Sequence, residues 1–244
     1  MTYPRYSVSG KGSVYLSNNA DLRKIKAIKI NSLITEHLSK GTESLRLLDI
    51  GTGYGGIATE LSKTFASVFS IDIADERKIM KGYDFKLYDG MNIPFPSNFF
   101  DVVIANHVIE HVQDQAMTLS EVSRVLNDNG ICYIAVPNKW SLIEPHFKFP
   151  FLSWFPQKFS DFIVQTFKKT NKFDVKSHGL KGYLSLMSDR FYVKNITYKF
   201  FKLPDSNIPF CIKWFKFLPD GILRFICIYS TTYIFILSKR NRGE

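Results

Sequence analysis

Residues 45–56 read LRLLDIGTGYGG, a short apolar run that passes directly into a glycine-rich turn. Such a run, ended by a turn, is typical of a strand buried inside a parallel sheet. Glycine is needed where the backbone bends sharply and approaches a ligand, because a side chain would obstruct both. Gly51, Gly53 and Gly56 also satisfy the GxGxxG spacing of dinucleotide-binding folds, so the turn alone leaves the ligand open.

The apolar run is the first of several strands that alternate with helical segments. Further strands are predicted at 67–73, 85–89, 100–106 and 130–136, and helices at 21–38, 57–63, 76–81 and 114–126. Strands and helices that alternate at this spacing indicate right-handed crossovers and a parallel sheet covered on both faces. The sequence therefore predicts an α/β fold with a Rossmann-like, doubly wound and mostly parallel sheet.

The alternation changes after Pro137. Residues 140–172 are aromatic and interrupted by prolines, which predicts a lid inserted after the fifth strand. A helix at 180–187, a strand at 192–203 and a closing strand at 231–238 bring the predicted sheet to seven strands. We divide the chain into an N-terminal helix and ligand-binding core (1–139), an aromatic and basic lid (140–179), and a C-terminal part (180–244). This last part completes the sheet and carries a segment on the substrate side or at a membrane interface.

The net charge of +10 comes entirely from the second half of the chain. Residues 1–139 contain 15 Lys and Arg and 15 Asp and Glu, whereas residues 140–244 contain 17 and 7. The second half also holds 24 of the 37 aromatic residues. This composition suits contact with a phosphate-bearing ligand, a membrane surface or a nucleic acid, and it equally suits a basic surface over an aromatic core.

Several features bear on location. Residues 1–12 are polar, so no signal peptide is predicted. Cys132, Cys211 and Cys227 are far apart without a CxxC pair, which indicates buried thiols in a reducing compartment. The longest apolar run, 222–237, contains a charged arginine and falls short of the roughly 20 residues of a bilayer span. A cytoplasmic location is therefore predicted.

Three carboxylates near the ends of the first three strands narrow the choice of ligand. Asp49 precedes the first glycine by two residues, where it would repel a pyrophosphate but attract an ammonium group. Asp72 lies 21 residues after Gly51, placed to accept hydrogen bonds from ribose hydroxyls. Asp89 ends the third strand, where it can accept a hydrogen bond from the exocyclic amine of adenine. An amino acid, a ribose and an adenine together describe S-adenosylmethionine.

Residues 45–137 resemble the class I S-adenosylmethionine-dependent methyltransferases, in the broad group that includes the ubiquinone-biosynthesis methyltransferases. The resemblance lies in LLDIGTGYG (47–55), SIDI (70–73), DGMNIPF (89–95), FDVVIAN (100–106) with EHV (110–112), and RVLNDNG (124–130). It implies direct in-line displacement, for which the protein supplies proximity, alignment and exclusion of water. It also implies donor-binding residues: Asp49, Gly51, Gly53, Gly55, Asp72, Ile73, Asp89, Gly90, Met91 and Asn106.

Histidines are the candidates for a general base, which is needed only if the acceptor loses a proton, as a hydroxyl does. His107, Glu110 and His111 share one face if a helix follows Asn106, and imidazole accepts protons near neutral pH. We predict His107 and His111 as catalytic residues. The same three residues could instead bind a metal or only stabilise a helix start. Similar ubiquinone-pathway enzymes have glutamate where this chain has His107, which disfavours Mg²⁺, so no metal is predicted.

The second half of the chain suggests the acceptor. Residues 145–156 and 210–218 combine aromatic residues with lysines, as interfacial segments of peripheral proteins do. We expect a small-molecule, lipid-linked or glycan acceptor, methylated at a hydroxyl, and peripheral contact with an anionic membrane at its inner face. His146 and His178 are interpreted as structural or surface residues, although His178 could face the acceptor.

Two other functions compete with this reading. An RNA methyltransferase would also use basic and aromatic residues, but the sequence shows no RNA-binding appendage and no NPPY motif after the fourth strand. Nucleic acid is therefore the less favoured partner. The other alternative is a non-catalytic S-adenosylmethionine-binding protein. The sequence leaves the oligomeric state open.

Overall fold

The computed structural model describes residues 20–141, 149, 151–168, 175–203 and 214–240 of the chain. Its strands are β1 (Arg46–Ile50), β2 (Ser67–Asp72), β3 (Asp84–Leu87), β4 (Phe100–Asn106), β5 (Leu126–Pro137), β6 (Phe191–Asn195) and β7 (Thr232–Lys239). They form one seven-stranded sheet in the order β3–β2–β1–β4–β5–β7–β6. Only β7 pairs antiparallel with its neighbours. The predicted Rossmann-like, mostly parallel sheet is confirmed.

The helices follow the strands in alternation through the first half of the chain. In chain order they are α1 (Ala20–Thr35), α2 (Gly56–Leu61), α3 (Gln115–Val125), α4 (Gln157–Lys168), α5 (Leu180–Ser188), α6 (Thr197–Lys202) and α7 (Asp220–Ile226). Short 3₁₀ turns lie at Thr42–Ser44, Leu152–Trp154, Trp214–Phe217 and Cys227–Tyr229. Apolar residues of α1 and α2 pack on one face of the sheet, and those of α3 and α5 pack on the other.

The order of the strands locates the crevice where ligands bind in this kind of sheet. β1 pairs with β2 on one side and with β4 on the other, so the chain changes direction at β1. In open parallel sheets, ligands bind outside the carboxyl ends of the strands at such a switch point. The carboxyl ends of β1 to β5 lie at one edge because these strands are parallel.

The predicted helix at 76–81 is wrong, and the helix after Asn106 that would align His107, Glu110 and His111 does not form. Residues 76–81 form no helix, because the backbone N–H groups of Lys78 and Ile79 donate to the Tyr54 carbonyl at 3.2 and 3.1 Å and hold this segment over the glycine turn. No helix begins directly after Asn106 either. His107 has a left-handed backbone with φ 59°, which cannot start a right-handed helix, and residues 108–113 form turns.

Helix α3 agrees with the helix predicted at 114–126, and Asp114 caps it. The Asp114 carboxylate accepts a hydrogen bond from the Met117 N–H at 2.9 Å, as a residue at a helix N-terminus does. The predicted strand 192–203 is only half correct. It ends at Asn195, whose side-chain oxygen accepts from the Thr197 N–H at 3.0 Å and starts α6. The capping interaction overrides the strand preference of the aromatic residues that follow.

The second half of the chain adds a small core outside the sheet. Ile163 and Val164 of α4 pack against Leu152 and Val175. The lid and the three-part division of the chain stay predictions, and residues 1–19, 142–148, 150, 169–174, 204–213 and 241–244 lie outside the described residues, with His146 and Cys211 among them. Cys132 and Cys227 are buried thiols. Within the described ranges, the model contains no helix long and apolar enough to cross a bilayer.

Candidate active site

The glycine turn lies at the carboxyl end of β1 and joins β1 to α2. The Gly51 N–H donates to the Ile71 carbonyl of β2 at 2.8 Å. Gly51, Gly53 and Gly55 have φ values of 75°, 51° and 83°, a conformation that residues with a side chain rarely adopt. A Cβ atom at Gly51 would overlap the Val108 side chain. The turn therefore depends on glycine both for its conformation and for its contact with the segment after β4.

Gly55 is required by a contact within the protein, whether or not a ligand is bound. A Cβ atom there would overlap the Ile79 carbonyl and the Tyr83 hydroxyl, which lie over the turn. Tyr83 donates to the Ile79 carbonyl at 2.5 Å, which fixes the crossing segment in place. The third glycine of the predicted donor loop thus makes room for residues 78–79, a contact that the sequence pattern did not reveal.

Two buried acceptor atoms lie side by side at this edge of the sheet. Asp49 pairs in register with Ile104, and Asn106 follows two residues later, so the two side chains lie on the same face of neighbouring strands. Asp49 Oδ2 and Asn106 Oδ1 are both buried without a hydrogen-bond partner. Burial, reinforced by the charge of Asp72, raises the pKa of Asp49 to about 7. A cationic donor would satisfy both oxygens and favour the charged carboxylate.

Asp72 connects the glycine turn to the end of β2. One carboxylate oxygen accepts from the Gly53 N–H at 2.9 Å and the other accepts from the Ile73 N–H at 2.7 Å. The register of β1 and β2 places Asp72 on the same face as Asp49. Tyr88 lies nearby and is mostly buried, and burial with the charges of Asp72 and Asp89 raises its pKa to about 12.

Asp89 organises the loop after β3. Its oxygens accept from the Met91 and Asn92 N–H groups at 2.8 and 2.7 Å and from the Asn92 side chain at 2.8 Å. These hydrogen bonds hold the pKa of Asp89 below its ordinary value. Gly90 brings the loop close to Ile73, since a Cβ there would lie 3.3 Å from the Ile73 side chain. Ile73 and Met91 are 55% and 39% exposed, so an apolar slot lies between Asp72 and Asp89.

The segment after β4 carries the predicted catalytic residues His107 and His111 and joins His107 to Glu110. His107 Nδ1 lies 3.0 Å from Glu110 Oε1, and Glu110 is fully buried. Burial alone would raise the pKa of Glu110, but the hydrogen bond to His107 and the charges of His107 and His111 outweigh it, so the pKa is lowered. When His107 is neutral, an ionised Glu110 favours the proton on Nδ1, and Nε2 is then an acceptor. His111 is exposed.

His178 belongs to a separate polar chain beside this segment. Its Nε2 lies 2.8 Å from Gln115 Oε1, while the Gln115 amide donates to the carbonyls of Ile109 and Lys176 at 2.9 Å each. Burial and the charge of Lys139 lower the pKa of His178. The structure therefore places His178 in a support for the turn that carries Glu110. Gln115 was not foreseen, since its position in α3 gave no sequence signal.

Clusters of metal-ligand side chains and cavities are two further features that can mark a functional site within the described residues. Among the described residues, no group of three or more His, Cys, Asp or Glu side chains converges as metal ligands would. A cavity of about 350 Å³ lies at the opposite, amino edge of the sheet, lined by His37, Asp101 and Asp128 among others. The carboxyl edge is the candidate ligand site, because the unpartnered acceptors and the glycine turn lie there.

Known proteins match the part of the chain that forms this site. A family model described as a methyltransferase domain matches residues 23–170. The ubiquinone/menaquinone biosynthesis C-methyltransferase UbiE of Desulfotalea psychrophila is 29% identical over 43% of this chain and 48% of its own length. The ubiquinone biosynthesis O-methyltransferase of Pelagibacter ubique is 29% identical over 50% of this chain and 54% of its own length.

A solved structure matches more of the chain at lower identity. The phosphoethanolamine N-methyltransferase 2 of Haemonchus contortus, in complex with phosphomonomethylethanolamine and S-adenosylhomocysteine, has a TM-score of 0.55 and 16% identity. The match covers 87% of this chain and 52% of that one. The chain thus spans about half the length of the two curated relatives above, and the structural similarity shows a shared fold.

Proposed function

The chain belongs to the methyltransferase-domain family, and from that premise we propose that it is a methyltransferase that uses S-adenosylmethionine as the methyl donor. The observation that carries this proposal is the pair of buried, unpartnered oxygens, Asp49 Oδ2 and Asn106 Oδ1, beside the glycine turn. Buried polar atoms are normally hydrogen-bonded, so two adjacent exceptions mark a place where a ligand supplies the donors. When bound, S-adenosylmethionine supplies an electrophilic methyl group.

Each predicted donor-site residue has a proposed role that fits its surroundings. Asp49 and Asn106 would accept hydrogen bonds from the ammonium group of the donor, and the Gly51–Gly53–Gly55 turn would let the backbone approach it closely. Asp72 has oxygens at the crevice for the ribose hydroxyls, although each also accepts a backbone N–H. Ile73, Gly90 and Met91 would enclose the adenine, with Asp89 holding their loop.

The acceptor side supports transfer to a hydroxyl. An alcohol or phenol must lose its proton as it attacks, and His107 Nε2 is the proposed acceptor of that proton. Glu110 holds His107 in one tautomer and would stabilise the imidazolium that forms, because its carboxylate is ionised and lies 3.0 Å away. His111 is the second candidate, since its charge also reaches Glu110.

The acceptor is proposed to be a small lipid-linked or glycan molecule with a free hydroxyl. The name of the Pelagibacter ubique relative supports transfer to oxygen in a quinone pathway, whereas the Desulfotalea psychrophila relative is named for transfer to carbon. We also propose a cytoplasmic location and contact with the inner face of an anionic membrane, where such acceptors are found. The exposed aromatic and basic second half of the chain supports this placement.

Titration calorimetry with S-adenosylhomocysteine and, separately, with NAD⁺ tests the donor assignment. The wild-type chain is expected to bind the former and not the latter. Asp49→Asn keeps the size of the side chain but removes its charge, so binding should weaken by about 10- to 100-fold. Asp84→Asn is the matched control, because Asp84 is an exposed aspartate at the amino end of β3, and its affinity should not change. Binding of NAD⁺ instead would overturn the proposal.

A further inference from the structure

One end of the molecule exposes an unusual number of aromatic side chains. We name them the aromatic rim: Trp140, Phe151, Trp154, Phe155, Phe159, Phe162, Phe167, Trp214, Phe217, Phe225 and Tyr229, each 41–70% exposed. Single exposed apolar residues are normal on protein surfaces, but a contiguous group marks a surface that meets a partner or a membrane. Ile28 in α1 and Tyr192 in β6 are also exposed, but they lie in elements that carry no residue of the rim.

Helix α4 shows that the rim is separate from the core. Ser160, Ile163 and Val164 face inward and are buried. Phe159 and Phe162 are exposed on a second face, with ring centroids 6.5 Å apart, and the exposed ring of Phe155, just before the helix, lies 4.8 Å from that of Phe159. A helix that already buries one apolar face does not need a second one for folding.

The parts of the rim meet at the carboxyl edge of the sheet. Asn138 follows β5 and is fully buried, and its side chain donates to the carbonyls of Ile228 and Ser230 at 3.1 and 2.8 Å. Its side-chain oxygen also accepts from the Trp140 N–H at 2.9 Å. Trp140 contacts Trp154, with ring centroids 5.9 Å apart. The lid side and the C-terminal side of the rim are therefore joined beside the proposed acceptor site.

We propose that the aromatic rim inserts into the interfacial region of an anionic lipid bilayer and turns the carboxyl edge of the sheet towards it. This inference rests on the proposed function and specifies the surface that makes the membrane contact. The charge of the chain points to this occupant, because residues 140–244 hold 17 Lys and Arg against 7 Asp and Glu. Anionic headgroups attract such a surface while the rings enter the boundary between headgroups and acyl chains.

Cationic side chains lie directly beside the rim. Lys216 Nζ is 4.8 Å from the centre of the Phe217 ring and Lys139 Nζ is 5.5 Å from that of Trp140. Lys158 is exposed next to Phe159. A second copy of the chain would bring two basic surfaces together, which repel each other.

The fluorescence of the tryptophans measures contact between the rim and lipid directly. The chain has three, Trp140, Trp154 and Trp214, and all belong to the rim. Vesicles of phosphatidylcholine and phosphatidylglycerol should shift the tryptophan emission of the wild-type chain to the blue, and brominated acyl chains should quench it. Vesicles of phosphatidylcholine alone should have little effect. Unchanged emission with the anionic vesicles would overturn the inference, as would a blue shift caused by self-association or RNA without lipid.

A variant pair separates the rim from the rest of the surface. Phe159→Gln with Phe162→Gln should lower the partition coefficient onto the anionic vesicles roughly tenfold or more, measured by flotation. Ile28→Gln with Tyr192→Gln changes two exposed residues outside the rim, one in α1 and one near the amino end of β6, and should leave flotation unchanged. Equal losses in both pairs would overturn the assignment of the rim.

S-adenosylhomocysteine binding is measured in the same proteins. Wild-type protein that binds this donor product but not vesicles contradicts the inference alone, whereas vesicle binding without donor binding contradicts the proposed function alone. The Phe159→Gln, Phe162→Gln variant should bind S-adenosylhomocysteine like the wild type, which also shows that it is folded.

Discussion

Two regions of the site each contain a buried carboxylate, and the protein treats them in opposite ways. On the donor side, Asp49 is 2% exposed, its Oδ2 has no partner, and its pKa is raised to about 7. On the acceptor side, Glu110 is fully buried, but the hydrogen bond to His107 lowers its pKa. His107 is hydrogen-bonded to one oxygen of Glu110, whereas no hydrogen bond from the described residues reaches Asp49 Oδ2. In the proposed function, the acceptor side is therefore preorganised, and the donor side would be completed by its ligand.

Loss of the acceptor-side base should have the largest effect. His107→Gln removes the group that accepts the proton, so turnover is expected to fall by about 10²- to 10⁴-fold while S-adenosylhomocysteine binding is unchanged. Transfer of a labelled methyl group to a short-chain polyprenyl catechol gives the rate. His111→Gln is the comparison, because His111 is exposed, and this variant should lose less than tenfold in turnover.

If His111→Gln lowers turnover more than His107→Gln does, then His107, held by Glu110, is not the base. If neither variant lowers turnover tenfold, the acceptor does not need a base. The acceptor side then only positions the substrate, as expected for transfer to an atom that attacks without losing a proton.

The two regions also differ in how well the sequence predicted them. On the donor side, strand ends and a glycine turn follow from local patterns, so Asp49, Asp72 and Asp89 were correctly placed at one edge. On the acceptor side, His107 and Glu110 meet through a turn with a left-handed residue, not through a helix that follows Asn106 directly. A side chain rarely adopts that conformation, so sequence spacing could not reveal it.

Tertiary contacts explain the remaining differences. The loop at 76–81 is held by the Tyr54 carbonyl, and the strand at 192–203 is cut short by the Asn195 cap. Both depend on a single hydrogen-bonding group that competes with local preference. The burial of Asn138 and its contacts to residues 228 and 230 are also long-range and had no signal in the sequence.

The pH dependence of donor binding tests the proposed donor side, where Asp49 Oδ2 has no hydrogen-bond partner. The Asp49 pKa of about 7 means that protons compete with the donor ammonium below neutral pH. The affinity for S-adenosylhomocysteine should therefore fall about tenfold between pH 6 and pH 5. At pH 7 binding should release roughly half a proton, seen calorimetrically as a heat that depends on the ionisation enthalpy of the buffer.

Asp49→Asn should bind more weakly with a nearly flat pH profile, because the titrating group is gone. A flat profile in the wild type would show that the carboxylate is already ionised without ligand. The pKa of Asp49 would then not be raised, and the opposite pKa shifts of Asp49 and Glu110 would not be supported.

The smallest expected effect is on stability. The change in the free energy of unfolding on removing the charge should have opposite signs for Asp49 and Glu110. The folded-state pKa of Asp49 is raised from 3.8 to about 7, so between about pH 4 and 7 the folded state holds a proton that the unfolded state has lost. The stabilisation that this proton gives the folded state is therefore lost as the pH rises through 7. At pH 8 the buried charge is a cost, and Asp49→Asn should raise the free energy of unfolding by about 1–3 kcal/mol, a shift in Tm of roughly 2–4 °C per kcal/mol.

Glu110→Gln should act in the opposite direction. The folded-state pKa of Glu110 is lowered, so its stabilisation is present above the ordinary carboxyl pKa and is lost as the pH falls through the folded value. At pH 8 the substitution weakens a charged hydrogen bond to His107, which should lower the free energy of unfolding by about 1–3 kcal/mol. Thermal unfolding of both variants at pH 8, without ligand, measures the two signs together. A loss of stability in both would mean that the chain does satisfy Asp49, because only a carboxylate without a partner gains from losing its charge.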